Sequence, residues 1–327
     1  MTTGTHVSQV ASGVYRCTLP TGFAVGDVHA YLIPDQQGVT VVDAGLGTEE
    51  SMAALEQGVR DIGCTLDQAH TIVLTHGHAD HAGGAATLKE RTNARLIGHP
   101  LLLRWLQPTA ESRRAEDEFF ERLYCACGLS QPLRETARSE QNRYRQMVRP
   151  VCLDAGAGED DIVSGWRIVY TPGHSESHLS LWREHDRTMI GGDSCIQHIS
   201  ANALVEPDEE CLGRVQSVAQ FRRTFLKLRA MEISVILPGH GESVLDPQAL
   251  IFRRLHDQEK RVAQLVAAID TEERTVWDLA SSLFPRHLKE PTLIVSEVLG
   301  HLDYAVTVGQ VTSSCDRNGV ARYRLAR

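Results

Sequence analysis

Along the first hundred positions the apolar residues fall into short runs that end in turn or ionisable residues. "AYLIP" (30–34) and "VTVVDAG" (39–45) are apolar and rich in β-branched residues, and predict two strands. The period then lengthens. Met52, Leu55, Val59 and Ile62 are spaced three, four and three apart, one apolar stripe of a helix for which Thr48 is the N-cap. "TIVLT" (71–75) predicts a buried strand, and "HGHADHAGG" a loop leaving its C-terminal end. From about 101 to 150 the texture is rich in Arg and Glu, with Phe119, Phe120, Leu123, Tyr124 and Cys127 at helical spacings, which predicts a helical insertion. Strand patterns resume in "GWRIVYTPGH" (165–174), "TMIGGD" (188–193) and "ISVILPGHGE" (233–242). Three helical patterns (251–269, 275–284, 293–309) and a closing hairpin follow. The chain thus divides into a sheet-bearing unit, 1–248, and a C-terminal unit, 249–327.

Composition narrows the class. The 327 residues are 42% hydrophobic and 23% charged, as in ordinary globular proteins. No run approaches the roughly 18–20 apolar residues of a membrane span. "MTTGTHVSQVASG" lacks the basic and apolar regions of a secretory leader. The eight cysteines include no Cys-x-x-Cys pair and form a poor disulfide framework. A reduced, cytoplasmic location is the expectation. The net charge of −9 argues against a protein built to grip nucleic acid.

The chemistry lies where predicted strands end. Asp43, His76, His78, Asp80, His81, His174, Asp193 and His240 all fall in such turns. Imidazole nitrogens and carboxylate oxygens suit zinc or a similar divalent ion. The donors outnumber what one tetrahedral ion can use, and suffice for two ions roughly 3.5–4 Å apart sharing a carboxylate. There is no dinucleotide G-x-G-x-x-G, no P-loop and no G-x-S-x-G, so neither redox-cofactor nor serine-nucleophile chemistry is supported.

The order H-x-H-x-D-H, "TPGH", "GGD", "PGHG", preceded by "VVDAG", resembles the metallo-β-lactamase fold superfamily over nearly all of 1–245. The resemblance implies an α+β fold: an αββα sandwich, here with the helical insertion and a small winged-helix-like C-terminal unit. It implies His76, His78 and His174 at a first metal, and Asp80, His81 and His240 at a second. Asp193 would bridge the two, and Asp43 would orient ligand histidines from behind. The classical zinc lactamases carry cysteine where this chain has Asp193 and lack the Asp80–His81 pair. The pattern is similar instead to the glyoxalase II-like and RNA-processing branches. Two divalent ions are implied, zinc first, with iron or manganese as alternatives.

The expected reaction is hydrolysis of a thioester (acyl-CoA or acyl-carrier type), or a related carboxylic ester, by a hydroxide shared between the ions. Asp80 would both bind metal and orient the nucleophile. The alternative is a metal-dependent endoribonuclease or phosphodiesterase acting on single-stranded RNA, because the C-terminal unit resembles an extension found in thioesterases and in one such nuclease. Residues 251–327 hold eleven Lys/Arg against ten Asp/Glu, too neutral for a phosphate-gripping module. The unit therefore reads as a wall of the cleft or a homodimer element. The expected partner is a small acyl or ester substrate. Two features of the insertion are candidate substrate contacts: the aromatic residues Trp105, Phe119, Phe120 and Tyr124 for an acyl pocket, with an ordinary helix core as the equal alternative, and Arg143, Arg145 and Arg149 for an anionic group, with a solvated helix face as the favoured alternative.

Overall fold

The computed structural model describes residues 7–269 and 272–326. Residues 1–6, part of the N-terminal stretch read above for a leader, lie outside them. Strands β1 (Val7–Ala11), β2 (Val14–Leu19), β3 (Val28–Pro34) and β4 (Val39–Val42) pair antiparallel in turn. Helix α1 (Glu49–Asp61) crosses to β5 (Ala69–Val73), parallel to β4. Short α2 (Ala79–Ala82) and α3 (Ala85–Thr92) lead to β6 (Arg95–Gly98), parallel to β5. The insertion contributes α4 (Leu103–Leu106), α5 (Ala110–Ala126) and α6 (Gln131–Gln146), and β7 (Ala155–Gly156) completes a seven-stranded sheet ordered β1 to β7.

The second sheet contains β8 (Ile162–Val163), β9 (Trp166–Tyr170), β10 (Leu179–Arg183), β11 (Thr188–Gly192) and, after α7 (Ser217–Ala230), β12 (Val235–Pro238). Its order is β12-β11-β10-β9-β8, with only β11 and β12 parallel. Helices α8 (Pro247–Ala268), α9 (Val276–Leu283) and α10 (Pro291–Thr307), then the hairpin β13 (Val311–Cys315) and β14 (Ala321–Leu325), close the chain.

The expected αββα sandwich is present. Val42, Val73 and Ile97 of the first sheet meet Trp166, Ile168, Leu181 and Leu237 of the second in one buried layer. Outside the first sheet, Met52, Leu55 and Val59 of α1 and Leu88 of α3 pack on Leu32, Val41 and Ile72. Outside the second, Phe221 and Phe225 of α7 and Leu250 and Leu255 of α8 pack on Val169, Met189 and Ile236. Covered on both sides, β4 buries all four residues, which is why it reads as a continuous β-branched run. Thr48 caps α1 as predicted, accepting from the Ser51 amide at 3.2 Å, while Glu49, Glu50 and Arg60 complement the helix dipole.

Two local expectations change. Part of "HGHADHAGG" is helical: the His78 carbonyl accepts from the amides of His81 (3.0 Å) and Ala82 (2.8 Å), and this single turn carries Asp80 and His81. Phe119, Phe120 and Tyr124 of the insertion form a helix core and do not line an acyl pocket. Phe119, Leu123, Tyr124 and Cys127 are buried in one cluster with Val262, Leu265, Val276, Val295 and Leu299 of the C-terminal helices, and Phe120 packs against it. A stripe of this kind seeks the nearest complementary apolar face. Here that face is supplied by α8, α9 and α10. No described helix is long and apolar enough to cross a membrane.

Candidate metal centre

Parallel pairing of β4 with β5 and of β11 with β12 sends Asp43, the His76 loop, Asp193 and His240 off the same edge of the sandwich. Backbone bonds stitch the two sheets together there: the Leu179 amide donates to Thr75 O (2.7 Å) and the His29 amide to Gly239 O (2.8 Å), while within the second sheet the Gly239 amide donates to Gly192 O (2.8 Å). The Tyr31 hydroxyl donates to Pro238 O (2.6 Å). All seven residues expected as ligands converge there. Three sets of donor atoms each lie within 4.8 Å of one another: His76/His78/His174, His76/His81/Asp193 and Asp80/His81/His240.

Ring orientation follows from what holds each outer nitrogen. Nδ1 of His174 faces Asn202 O (2.8 Å), and Nδ1 of His240 faces Asp27 O (2.8 Å). A carbonyl only accepts, so both Nδ1 atoms carry the proton and both Nε2 lone pairs face inward. His81 is held the same way by Asp43 Oδ2 (2.7 Å). The Thr75 hydroxyl donates to Asp43 Oδ2 (2.8 Å) and so accepts from His76 Nδ1 (3.0 Å). Asp43, at φ 63°, also takes the Thr75 amide at 2.7 Å. Its left-handed backbone, which aspartate tolerates better than most residues, aims the carboxylate back under the histidine loop. His78 presents Nδ1 instead, 2.9 Å from the Nε2 atoms of both His76 and His174.

Asp193 sits among these nitrogens: Oδ1 is 3.4 Å from His81 Nε2, and Oδ2 is 3.5 Å from His174 Nε2 and 3.7 Å from His240 Nε2. Asp80 Oδ2 lies 3.3 Å from His240 Nε2. His81 Nε2 and Asp193 Oδ1 are buried, and neither has a hydrogen-bond partner among the described residues. Orphaned lone-pair donors at the centre of a histidine–aspartate cluster are what a divalent cation satisfies, and the set fits one.

The electrostatics split the cluster. Burial, reinforced by neighbouring imidazoles, holds His76 well below the usual histidine range and brings His78 down to about 3; burial also lowers His174. These rings are neutral donors. At His81 burial opposes the charge, but Asp193, Asp43 and Asp80 outweigh it and raise the ring well above its ordinary value. His240 is likewise raised, with Asp80 and Asp193 outweighing burial. Burial pushes the Asp193 and Asp80 carboxyls up, yet the facing histidines win and hold both low. The carboxylate-rich side therefore demands positive charge, which a metal supplies by displacing protons.

Three residues that sequence reasoning does not single out complete the surroundings. His178 is fully buried and accepts the Asp193 amide at Nε2 (3.0 Å), with Nδ1 2.7 Å from the Thr171 hydroxyl. Its only sequence signal is a second histidine four residues after His174, directly before an apolar strand. Asn202 supplies the carbonyl behind His174. Glu206, 4% exposed, accepts the Glu176 amide at 3.3 Å, two residues beyond His174.

Burial pushes the Glu206 carboxyl from 4.5 up to about 7, against the pull of Ser175 and Arg104. An acid raised on folding holds its proton more tightly in the native state. Its contribution is complete below pH 4.5 and is lost as pH rises through about 7. Glu206→Gln is therefore expected to gain stability relative to the parent between about pH 5 and pH 8, by about 1–3 kcal/mol. Thermal melts at the two pH values measure this. An equal difference at both would show that the carboxyl titrates normally.

The basic cluster of the insertion is largely consumed. Arg145 pairs with Glu116 and Asp117, and Arg149 with Glu90. Arg143 lies over the Tyr144 ring (5.2 Å), which meets Phe23 of the β2–β3 loop edge-on at 5.9 Å. Of the aromatic candidates, Trp105 alone reaches the metal loop: a Cβ added to Gly77 would stand 2.9 Å from its Cδ1.

With this geometry established, known proteins place the chain. The profile of the metallo-beta-lactamase superfamily matches residues 24–240. A probable metallo-hydrolase of Bacillus subtilis, YqjP, is 30% identical over 94% of this chain and 96% of its own length. An atrochrysone carboxyl ACP thioesterase of Aspergillus terreus is 22% identical over 86% of this chain and 75% of its own. The crystal structure of a metallo-beta-lactamase family protein of Thermus thermophilus superposes with a TM-score of 0.80, covering 97% of this chain and 100% of that one at 24% identity. The chain belongs to the metallo-beta-lactamase superfamily.

Proposed function

We propose that the protein is a dinuclear metallohydrolase that cleaves a thioester, of acyl-CoA or acyl-carrier type, or a related carboxylic ester. In this reading His76, His78 and His174 would hold one ion and Asp80, His81 and His240 the other, with Asp193 available to both. Zinc is the first choice, since neutral imidazoles and carboxylates are its common donors. When bound, such ions lower the pKa of water toward neutrality and polarise a carbonyl oxygen.

The protein's own part is orientation. Asp43, Asn202 O and Asp27 O aim three Nε2 lone pairs inward, and Asp80 lies beside His240 where a nucleophile would be directed. In the reaction the oxygen of water would bond to the acyl carbon, the C–S bond would break with its electron pair leaving on sulfur, and the proton lost by the water would pass to the thiolate or to solvent. The departing thiolate is a weak base, so a strong protein acid is not required.

The observation that supports a carbonyl substrate is the state of the cation nearest the His174 turn. Arg104, which reaches the turn after His174, is engaged by Glu176 (3.6 Å) and by the carbonyls of Pro207 (2.8 Å) and Asp208 (3.2 Å). Arg145 of the insertion is likewise paired, with Glu116 and Asp117, while Arg143, which lies over the Tyr144 ring, has no carboxylate partner among the described residues. A nucleic-acid backbone would need unpaired cations here. The thioesterase among the relatives supports the same choice.

The test is an assay of zinc- or manganese-loaded protein against a panel of acyl-CoA thioesters, with thiol release as the signal, beside a labelled single-stranded RNA. Thioester turnover without RNA cleavage is expected. RNA cleavage without thioester turnover overturns the proposal.

A further inference from the structure

The segment 202–206, between β11 and α7, has two sets of bonds. Toward the metal centre, Asn202 O accepts from His174 Nδ1 (2.8 Å) and the Leu204 amide reaches His174 O (3.4 Å). Toward the C-terminal helices, Asn202 Nδ2 donates to Leu293 O (2.9 Å) and the Val205 amide donates to the Ser296 hydroxyl (3.2 Å). Both partners lie in the first two turns of α10. Contact continues along this helix at Gly300, where an added Cβ would come within 3.8 Å of Ala203 O. Ala203, Val205 and Ser296 are all buried.

The anchors of the other ligands lie elsewhere. His81 is oriented by Asp43 after β4, His76 by Thr75 after β5, and His240 by Asp27 in the β2–β3 loop. These anchors belong to the first sheet and its loops. Among these four histidines, His174 alone takes its anchor from a segment fastened to α10.

We infer that Asn202 is a positioning residue through which α10 sets the orientation of His174, so that the C-terminal unit supports one metal position and not the other. Holding the Asn202 side chain on Leu293 O fixes the peptide whose carbonyl captures His174 Nδ1. That keeps His174 Nε2 on His78 Nδ1, 2.9 Å away, and near Asp193 Oδ2. Freed from α10, the carbonyl would swing and the imidazole with it. Such outer partners of a metal-binding histidine are worth about 10- to 100-fold in metal affinity. The inference rests on the two-ion reading above.

The experiment compares full-length parent, Asn202→Ala and the isosteric Asn202→Asp, which lacks the amide donor. Two successive cobalt dissociation constants are measured by competition with a chromophoric chelator. Cobalt spectra of His78→Ala and Asp80→Ala identify which position each constant belongs to. Both Asn202 variants are expected to weaken the three-histidine position about 10- to 100-fold, leave the other within about twofold, and lower kcat more than they raise KM. A residue with a merely structural role would instead depress the melting temperature and weaken both positions together, which overturns the inference. So does unchanged affinity in a folded Asn202→Asp protein. Parent protein that takes up one ion only would overturn the two-ion reading itself, a failure told apart by the stoichiometry of the unmutated chain.

Discussion

Asp193→Ala is expected to abolish measurable hydrolysis, by at least about 10³-fold, while the αββα sandwich stays folded. The carboxylate lies within 3.7 Å of His81, His174 and His240, and no other described carboxylate joins the two sets of donors in this way. Without it, three inward nitrogens face one another and His81 loses the largest of the charges that raise its pKa. The Asp193 amide still donates to His178 Nε2, so the backbone of the turn keeps its anchor. Metal analysis should find fewer than two ions per chain, with the far-ultraviolet circular dichroism of the parent. His76→Ala is expected to behave alike, since His76 belongs to two of the three donor sets. Full activity in either variant would refute the ligand assignment.

Gly239→Ala is the second large effect, and it adds one methyl group without removing a ligand. A Cβ on Gly239 would stand 2.3 Å from Asp193 Oδ1 and 2.6 Å from His81 Cε1, closer than real Cβ contacts come. The peptide cannot retreat, because its amide is held by Gly192 O and its carbonyl by the His29 amide, each at 2.8 Å. Asp193 and His81 must therefore move instead, and a displacement of roughly 1 Å at a reacting centre costs about 10²-fold. Loss of metal affinity together with about 10²-fold lower kcat/KM is expected, with Gly239→Ser behaving no better. Undiminished metal binding by Gly239→Ala would mean that His81 and Asp193 have more freedom than their buried contacts allow.

In "PGHG" the sequence signal is the histidine, but Gly239 matters just as much, for a reason only the folded chain supplies. The methyl position is filled by residues 46 and 158 places earlier in the sequence. The role of His178 is hidden in the sequence on the same ground. Its role comes from accepting the amide of Asp193 across neighbouring strands, and nothing in "SESHLS" announces that contact. The insertion illustrates the converse. Helical spacing of Phe119, Leu123 and Cys127 predicts the helix and its apolar face, because that period is a local property. Whether the face meets a substrate or the C-terminal helices depends on which surface it reaches first.

Strand ends carrying histidine and aspartate, the helix begun by Thr48, and the insertion are all readable from the chain, since each depends on residues a few positions apart. Which nitrogen of each histidine points inward is not. His240 is oriented by a carbonyl 213 residues away, His174 by one 28 residues away, and Arg145 is taken out of the anion-binding candidates by Glu116 and Asp117. Sequence alone determined which donors exist and in what order they leave the strands. Only tertiary structure decided where each lone pair points, because ring orientation and charge state are set by partners that the packing of the two sheets brings together.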